Sequence, residues 1–347
     1  MKSNLVYILQ ALLAAVFFGA SAPIAKLLLG EVPPVLMAAF LYLGSGTGIS
    51  LVKLSQRMTS QPREAGIRRP DVGWMAGAIL SGGILAPIVL MISLHNTPAS
   101  TASLLLNFEG VATTLIALFF FRESISRRAF TAIFAITLAS IFLSTNPQSA
   151  SFGFSLGALG ILLACTLWGI DNNFTRNISA KDPLTIVAWK GLVAGSFSLL
   201  LGLLLGQKLP ALPSILSILL LGFISYGLST MLFIYSMRGL GASRTSALYG
   251  TAPLAGVILS ILIFQDPITW AFIAAAILMV AGALLLANEE HAHFHIHMPV
   301  VHEHRHSHDE FHDHESSTVV HSHEHEHPRT EHEHGHMPDI HHRHEDK

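Results

Sequence analysis

Charge is what this chain has least of. Only 12% of its 347 residues are Asp, Glu, Lys or Arg, about half the usual share of a soluble globular chain, while 51% are hydrophobic and the mean hydropathy is +0.53. That balance excludes a water-soluble cytoplasmic enzyme and describes a membrane protein. Cysteine is nearly absent: Cys165 stands alone inside an apolar run, which excludes a disulfide framework and a Cys-based zinc site and leaves a small core residue. Residues 1–288 contain no P-loop pattern, so transport by that part of the chain would not be driven by ATP bound to it. They also contain a single histidine, His95, read as an interfacial residue.

The formal net charge of −2 averages two unlike pieces. Residues 1–288 hold 16 Lys and Arg against 8 Asp and Glu, a net of +8. Residues 289–347 hold 4 against 14, a net of −10, together with 20 of the 21 histidines. An apolar, basic body is joined to an acidic histidine tail.

A helix that crosses a hydrocarbon core about 30 Å thick needs about 20 apolar residues. Ten stretches qualify, near residues 5–29, 34–54, 72–94, 101–121, 128–146, 155–175, 184–206, 213–237, 245–264 and 269–287. The first runs too long, without a small-residue cleavage site, for a secretory signal, and reads as a retained helix. If the N-terminus is cytoplasmic, the inner side collects 13 Lys and Arg, and the outer side only Lys26 and Lys208, with Lys190 inside the seventh helix. Cytoplasmic loops carry the excess of Lys and Arg, so both termini are expected in the cytoplasm of a multi-pass plasma (inner) membrane protein.

The body repeats. A shift of 143 residues lays the fourth helix on the ninth, matching Ser103 with Ser246, Ala112 with Ala255, Phe121 with Phe264 and Glu123 with Asp266. A shift of 150 lays the first on the sixth, matching Ala14 with Ala164, Gly19 with Gly169 and Lys26 with Arg176. A unit of five helices is odd, so its second copy enters from the opposite side, and the loop charges agree. The expected fold class is an all-α integral membrane protein of ten helices in two inverted repeats, residues 1–147 and 148–288, with a disordered tail at 289–347.

The helix-ending phrases Leu115-Ile-Ala-Leu-Phe-Phe-Phe-Arg-Glu123 and Pro253-Leu-Ala-Gly-Val-Ile-Leu-Ser-Ile-Leu-Ile-Phe-Gln-Asp266 resemble the repeat signature of the EamA family in the drug/metabolite transporter superfamily. Gly19 to Lys26 in the first helix and Leu167-Trp168-Gly169 in the sixth are similar to that family's first-helix pattern. The chain departs from it at Gly110, where the family Pro is usual, and at Arg122, Gln265 and Asp266 in the turns. The resemblance implies secondary transport of amino acids, metabolites or drugs, without naming a substrate.

An ionisable group at a helix centre costs about 2.5–3.5 kcal/mol to insert, so each one is a functional candidate. Glu109 lies about eight residues into the fourth helix, close to the midplane, with Asn107 nearby. It is either a proton or cation site or a neutral, hydrogen-bonded packing residue. Asp171, with Asn172 and Asn173, and Lys190 lie at similar depth in the sixth and seventh helices. They form either a polar substrate site or inner gate, or a structural salt bridge. Trp168, Trp189, Tyr235 and Tyr249 line a cavity or belong to core and interfacial belt. Gly44, Gly46, Gly48, Gly191 and Gly195 allow close helix approach, and Glu123 and Asp266 read as caps near helix starts.

The tail carries the other chemistry. His291, His293, His295 and His297 are followed by His302, His304, His306 and His308, then by His312 and His314. His321, His323, His325 and His327 come next, then His332, His334 and His336, and finally His341, His342 and His344. Alternate histidines fall on one side of an extended chain, and neutral imidazole is a common ligand for zinc, nickel, copper and cobalt. The tract is expected to hold several exchangeable divalent ions; a solvated or pH-responsive tail is the alternative. No cofactor is required elsewhere. The expected partners are lipid, a small solute and divalent metal ions, with room for a homodimer and none for nucleic acid. The leading function is a secondary transporter that exports a small metabolite or amino-acid-like solute and carries a metal-binding tail. A divalent zinc, nickel or cobalt transporter and a non-transporting membrane metal sensor or buffer are the alternatives.

Overall fold

The computed structural model describes residues 2–57, 65–121, 127–144, 155–179, 181–240, 245, 248–266 and 268–287, together with the backbone of 291–297, 300–307, 320–327 and 330–336. Glu123 lies outside the described residues, as do His308, His312, His314, His341, His342 and His344.

The described body is built of helices joined by short turns. α1 (Lys2–Gly19) and α2 (Ser21–Leu28) form one span interrupted at Ala20, and α3 (Pro34–Arg57) follows. The third span opens with a 3₁₀ turn at Arg69–Asp71. It continues as α4 (Val72–Ala78), a π-helical segment (Ile79–Leu85) and α5 (Ala86–His95). The fourth is broken into α6 (Ala99–Leu105) and α7 (Phe108–Phe121). Then come α8 (Arg127–Ser144), α9 (Leu156–Arg176) and α10 (Pro183–Leu204). A further span joins α11 (Leu212–Gly222), a second π segment (Phe223–Leu228) and α12 (Ser229–Leu240), and α13 (Ala252–Phe264) and α14 (Trp270–Ala287) follow. By length and composition, six of these spans are long and apolar enough to cross a membrane, and Phe130–Leu143, Ala252–Phe264 and Trp270–Leu285 are shorter apolar helices. The sequence reading of uniform spans is corrected at the breaks and π segments, where hydropathy stays high although the helix geometry changes.

Small residues set the packing. α3 lies between α10 and α11, and a Cβ added at Gly44 would fall 2.1 Å from the Leu219 carbonyl oxygen, while one at Gly191 would fall 2.5 Å from the Gly46 amide. Backbone touches backbone there. The core runs through Leu36, Met37, Leu41, Leu90, Leu104 and Ile136, all buried. The outside is apolar as well: Leu156 and Trp270 are each 86% exposed and Phe120 80%, a surface suited to lipid and not to water.

Each end of the bundle has its own polar ties. At one, Lys53 Nζ meets Asp182 Oδ2 at 2.6 Å, and the Asp182 amide donates to the Ala65 carbonyl at 2.9 Å. At the other, the Lys26 ammonium donates to the carbonyls of Leu94 and Thr97, where α5 ends. Asp266 accepts from the Ser100 amide at 3.1 Å and its hydroxyl at 2.7 Å. Asp266 therefore caps α6, not the helix that follows it in sequence.

The tail is described through its backbone alone. β1 (His291–His297) pairs antiparallel with β4 (Thr330–His336), and β2 (Val300–Ser307) with β3 (Val320–His327). An alternating sequence that cannot pack a core still satisfies its backbone groups in a ladder.

Candidate functional site

α9 places Trp168, Asp171, Asn172 and Asn173 within little more than one turn, so their side chains spread around the helix toward three different neighbours. Asn172 points to α7: its Nδ2 donates to Glu109 Oε1 at 2.8 Å and to Thr113 Oγ1 at 3.1 Å. Asn173 Nδ2 donates to the carbonyls of Thr113 at 3.0 Å and Gly169 at 2.8 Å, and thereby locks α9 to α7. Asp171, 2% exposed, forms an ion pair with Lys190 from α10 and accepts from Thr175 Oγ1 at 3.0 Å.

The break between α6 and α7 changes the setting of Glu109. It is not deep in a continuous helix but in the first turn of α7, whose N-terminus lies within the fourth span. The turn keeps its backbone bonded, the Glu109 amide donating to the Leu106 carbonyl at 3.1 Å and the Gly110 amide to the Asn107 carbonyl at 3.3 Å, so the carboxyl depends on side-chain donors such as Asn172. Asn107 sits in the break itself, and its buried Nδ2 has no hydrogen-bond partner among the described residues. An unused donor thus lies two residues from an acceptor.

The π segment in the third span builds the other side. In this segment the Ala86 amide donates to the Ser81 carbonyl, and Pro87, next in line, has no N–H to offer the Gly82 carbonyl. The Gly82 carbonyl takes two side-chain donors instead, Tyr42 OH at 2.6 Å and Trp168 Nε1 at 3.0 Å. Gly82 also makes room for the ion pair, since a Cβ there would fall 1.9 Å from Asp171 Oδ2. From Tyr42 an aromatic series extends across the interior. Ring centroids are 5.8 Å apart for Tyr42 and Tyr226, 6.0 Å for Tyr226 and Phe18, and 5.6 Å for Phe18 and Tyr249. Phe233 meets Tyr249 at 4.8 Å.

The structure thus brings together Asn107, Glu109, Trp168, Asp171, Asn172, Asn173 and Lys190, and places Tyr249 at the far end of the aromatic series. It does not bring in Trp189, which is 57% exposed on the outer face of α10. Nor does it bring in Tyr235, whose hydroxyl accepts from Gln56 Nε2 at 2.5 Å, next to the last residue of α3. Tyr42, Tyr226, Phe18 and Thr113 escaped sequence reasoning. The available signal was glycine within a span, Gly82-Gly83 and Gly227, which marks irregular helix where side chains take over backbone bonding. Among the described residues no three His, Cys, Asp or Glu side chains converge as a metal site would require.

A bundle of apolar spans with an interior cluster of carboxylates, amides and one lysine is the architecture of a polytopic membrane transporter. The EamA-like transporter family model matches the chain twice, over residues 5–145 and 155–288. The chain belongs to that family and is a membrane transporter, not an enzyme. It is 27% identical over 289 residues to an uncharacterized transporter of Methanothermobacter thermautotrophicus, covering 79% of this chain and 83% of the relative. It is 26% identical over 292 residues to a probable amino-acid metabolite efflux pump of Salmonella typhimurium, covering 78% and 91%. A crystal structure of a protein 19% identical superposes with a TM-score of 0.56 over 82% of this chain and 95% of that one, a likeness of fold alone.

Proposed function

We propose that the protein is a secondary-active exporter of a small amino-acid-like metabolite, working by alternating access between two inverted five-helix repeats with both termini in the cytoplasm. The observation that carries this reading is Glu109, at the start of a half-helix inside the bundle, hydrogen-bonded to Asn172 and close to the unpartnered amide of Asn107. Discontinuous helices whose ends meet inside the membrane are how many secondary transporters hold polar substrates and coupling ions. Here the carboxylate suits an ammonium group or a proton, the amide nitrogen of Asn107 suits a carboxylate or carbonyl, and Tyr226, Phe18 and Tyr249 suit an apolar side chain.

Equivalent irregularities support the repeat. The π segments Ile79–Leu85 and Phe223–Leu228 fall in the third and eighth spans of the ten-helix reading. The 143-residue shift lays the break at Asn107 on Gly250, just before α13 begins at Ala252. The relative described as an amino-acid metabolite efflux pump supports the substrate class.

The test is solute counterflow in proteoliposomes with a panel of amino acids, using wild type and Glu109→Gln at several pH values. Transport of one of these solutes is expected, with a loss of at least ~10-fold and of pH dependence in the variant, as for removal of a charge used in coupling. Unchanged transport across pH would remove Glu109 from the mechanism. A second reading, a divalent metal transporter or membrane metal buffer, is favoured only by the histidine tail. Deleting residues 289–347 separates the readings: a solute exporter keeps its transport, a metal carrier loses delivery or its control, and a buffer loses everything.

A further inference from the structure

The two halves of the tail carry matching histidine patterns. In each, four alternating histidines (His291 to His297; His321 to His327) are followed by a five-residue step to a second alternating run starting at His302 or His332. The step changes the phase of alternation, from odd to even positions, in both halves. A single antiparallel register absorbs both changes: β1 with β4 and β2 with β3 follow one continuous alignment. In it His291 stands opposite His336, His293 opposite His334 and His295 opposite His332. Beyond the step, His302 stands opposite His325, His304 opposite His323 and His306 opposite His321. A register slipped by one residue would place histidine against the interleaved residues instead.

We infer that the tail is a metal-binding ribbon whose register sets six histidine pairs opposite one another across two strands, each pair a site for one divalent transition-metal ion. This rests on the metal-binding reading of the tail and adds its architecture. Residues directly opposite in an antiparallel pair have Cβ atoms about 4.5–5.5 Å apart, and a zinc–nitrogen bond is about 2.0–2.1 Å, so one ion fits between two such rings. Glu303 stands opposite Glu324, a repulsive placement, and a two-stranded ribbon is marginal in water by itself. Ions shared between the strands supply the missing attraction, and they require the neutral imidazoles present above about pH 6.5.

The experiment uses the full-length protein in detergent, with zinc or nickel alone as the probe, in equilibrium dialysis at neutral to mildly alkaline pH. Two variants each lose six histidines. One replaces His321, His323, His325, His332, His334 and His336 with Ala and so breaks every pair. The other replaces His291, His336, His295, His332, His304 and His323 with Ala, and so removes three pairs whole and leaves three intact. The ribbon predicts that the second variant keeps about half of the paired ions at the original affinity, whereas the first binds at least ~10-fold more weakly, because a second ligand held nearby supplies the effective concentration. Equal losses in the two variants would show that histidine number alone matters and overturn the ribbon while leaving tail binding in place. No binding by the unmodified protein would overturn the metal-binding reading itself.

Discussion

At the scale of single residues, two of the interior ionisable groups form a pair while Glu109 is held by an amide. Asp171 is buried and faces Lys190, and removing one member of such a pair leaves the other uncompensated at a cost of about 3–5 kcal/mol. Asp171→Asn and Lys190→Met are each expected to lower thermal stability and transport sharply. The exchanged protein, Asp171→Lys with Lys190→Asp, should regain much of both if the pair acts as a unit. A folded exchange variant that transports no better than the single variants would show that one of the two charges acts on the solute in its own right. Asp182 offers a test at the bundle end. Burial alone would push its carboxyl up, but the hydrogen bonds from Lys53 and Thr185 and the Lys53 charge outweigh burial and hold it below its ordinary 3.8. A folded value below the unfolded one means the contribution to stability is present above the unfolded value and is lost as the pH falls through the lowered folded value. Asp182 also caps α10, accepting from the Leu184 amide at 3.0 Å, a role Asn keeps, so Asp182→Asn removes only the charge pairing with Lys53 and should cost ~0.2–1 kcal/mol near neutral pH. The melting-temperature gap between wild type and variant should narrow below pH 4, and a gap that stays constant into strong acid would contradict the assignment.

At the scale of elements, the irregular helices matter more than the regular ones. The π segment Ile79–Leu85 offers its Gly82 carbonyl to Tyr42 and Trp168, while the absent Cβ of the same residue admits Asp171. Gly82→Ala would force the carboxylate away from Lys190 or push the segment outward, with a stability loss of about 1–3 kcal/mol from overpacking. Thermal unfolding in detergent measures it, and Gly73→Ala is the control, since a Cβ there meets nothing within 4 Å. The spans themselves are legible in the sequence because apolar length is a physical requirement of the bilayer. The breaks are not, because hydropathy averages over a window, and Leu105, Leu106 and Phe108 stay apolar while the helix stops. Glu109 keeps its place inside the fourth span, and the turn just before it leaves no mark in the hydropathy. Asp171 and Lys190 were legible as partners because two ionisable groups at matching depth have few alternatives. Tyr42 and Tyr226 were not, since an aromatic residue in a span fits the core, the cavity or the lipid boundary equally well. The histidine spacing was plain in the sequence. The pairing of its two halves was not, because spacing along one strand does not say which residue of the other stands opposite it.

At the scale of the whole molecule, the charge asymmetry yields an orientation that labelling can test. The structure places Lys53, Asp182, Lys181 and Asp71 together at one end of the bundle, and Lys26, Ser100 and Asp266 at the other. In the orientation proposed from the 13-to-2 partition of Lys and Arg, the first end would face the cytoplasm and the tail would lie on that side. The native protein is a convenient background, because its one cysteine, Cys165, is wholly buried. Gly66 lies at the first end with open space around it, and Lys208 is exposed in the turn between α10 and α11. With a membrane-impermeant maleimide on intact cells, Lys208→Cys should label and Gly66→Cys should label only after the membrane is permeabilised. The reverse pattern would put the histidine tail outside the cell. The −10 of the tail would then no longer share a compartment with the basic loops, and ions held on it would come from the exterior. The expected pattern instead sets an acidic, histidine-rich ribbon beside basic loops at the cytoplasmic mouth, where filling the tail with divalent cations would lower its net charge and weaken its attraction to those loops.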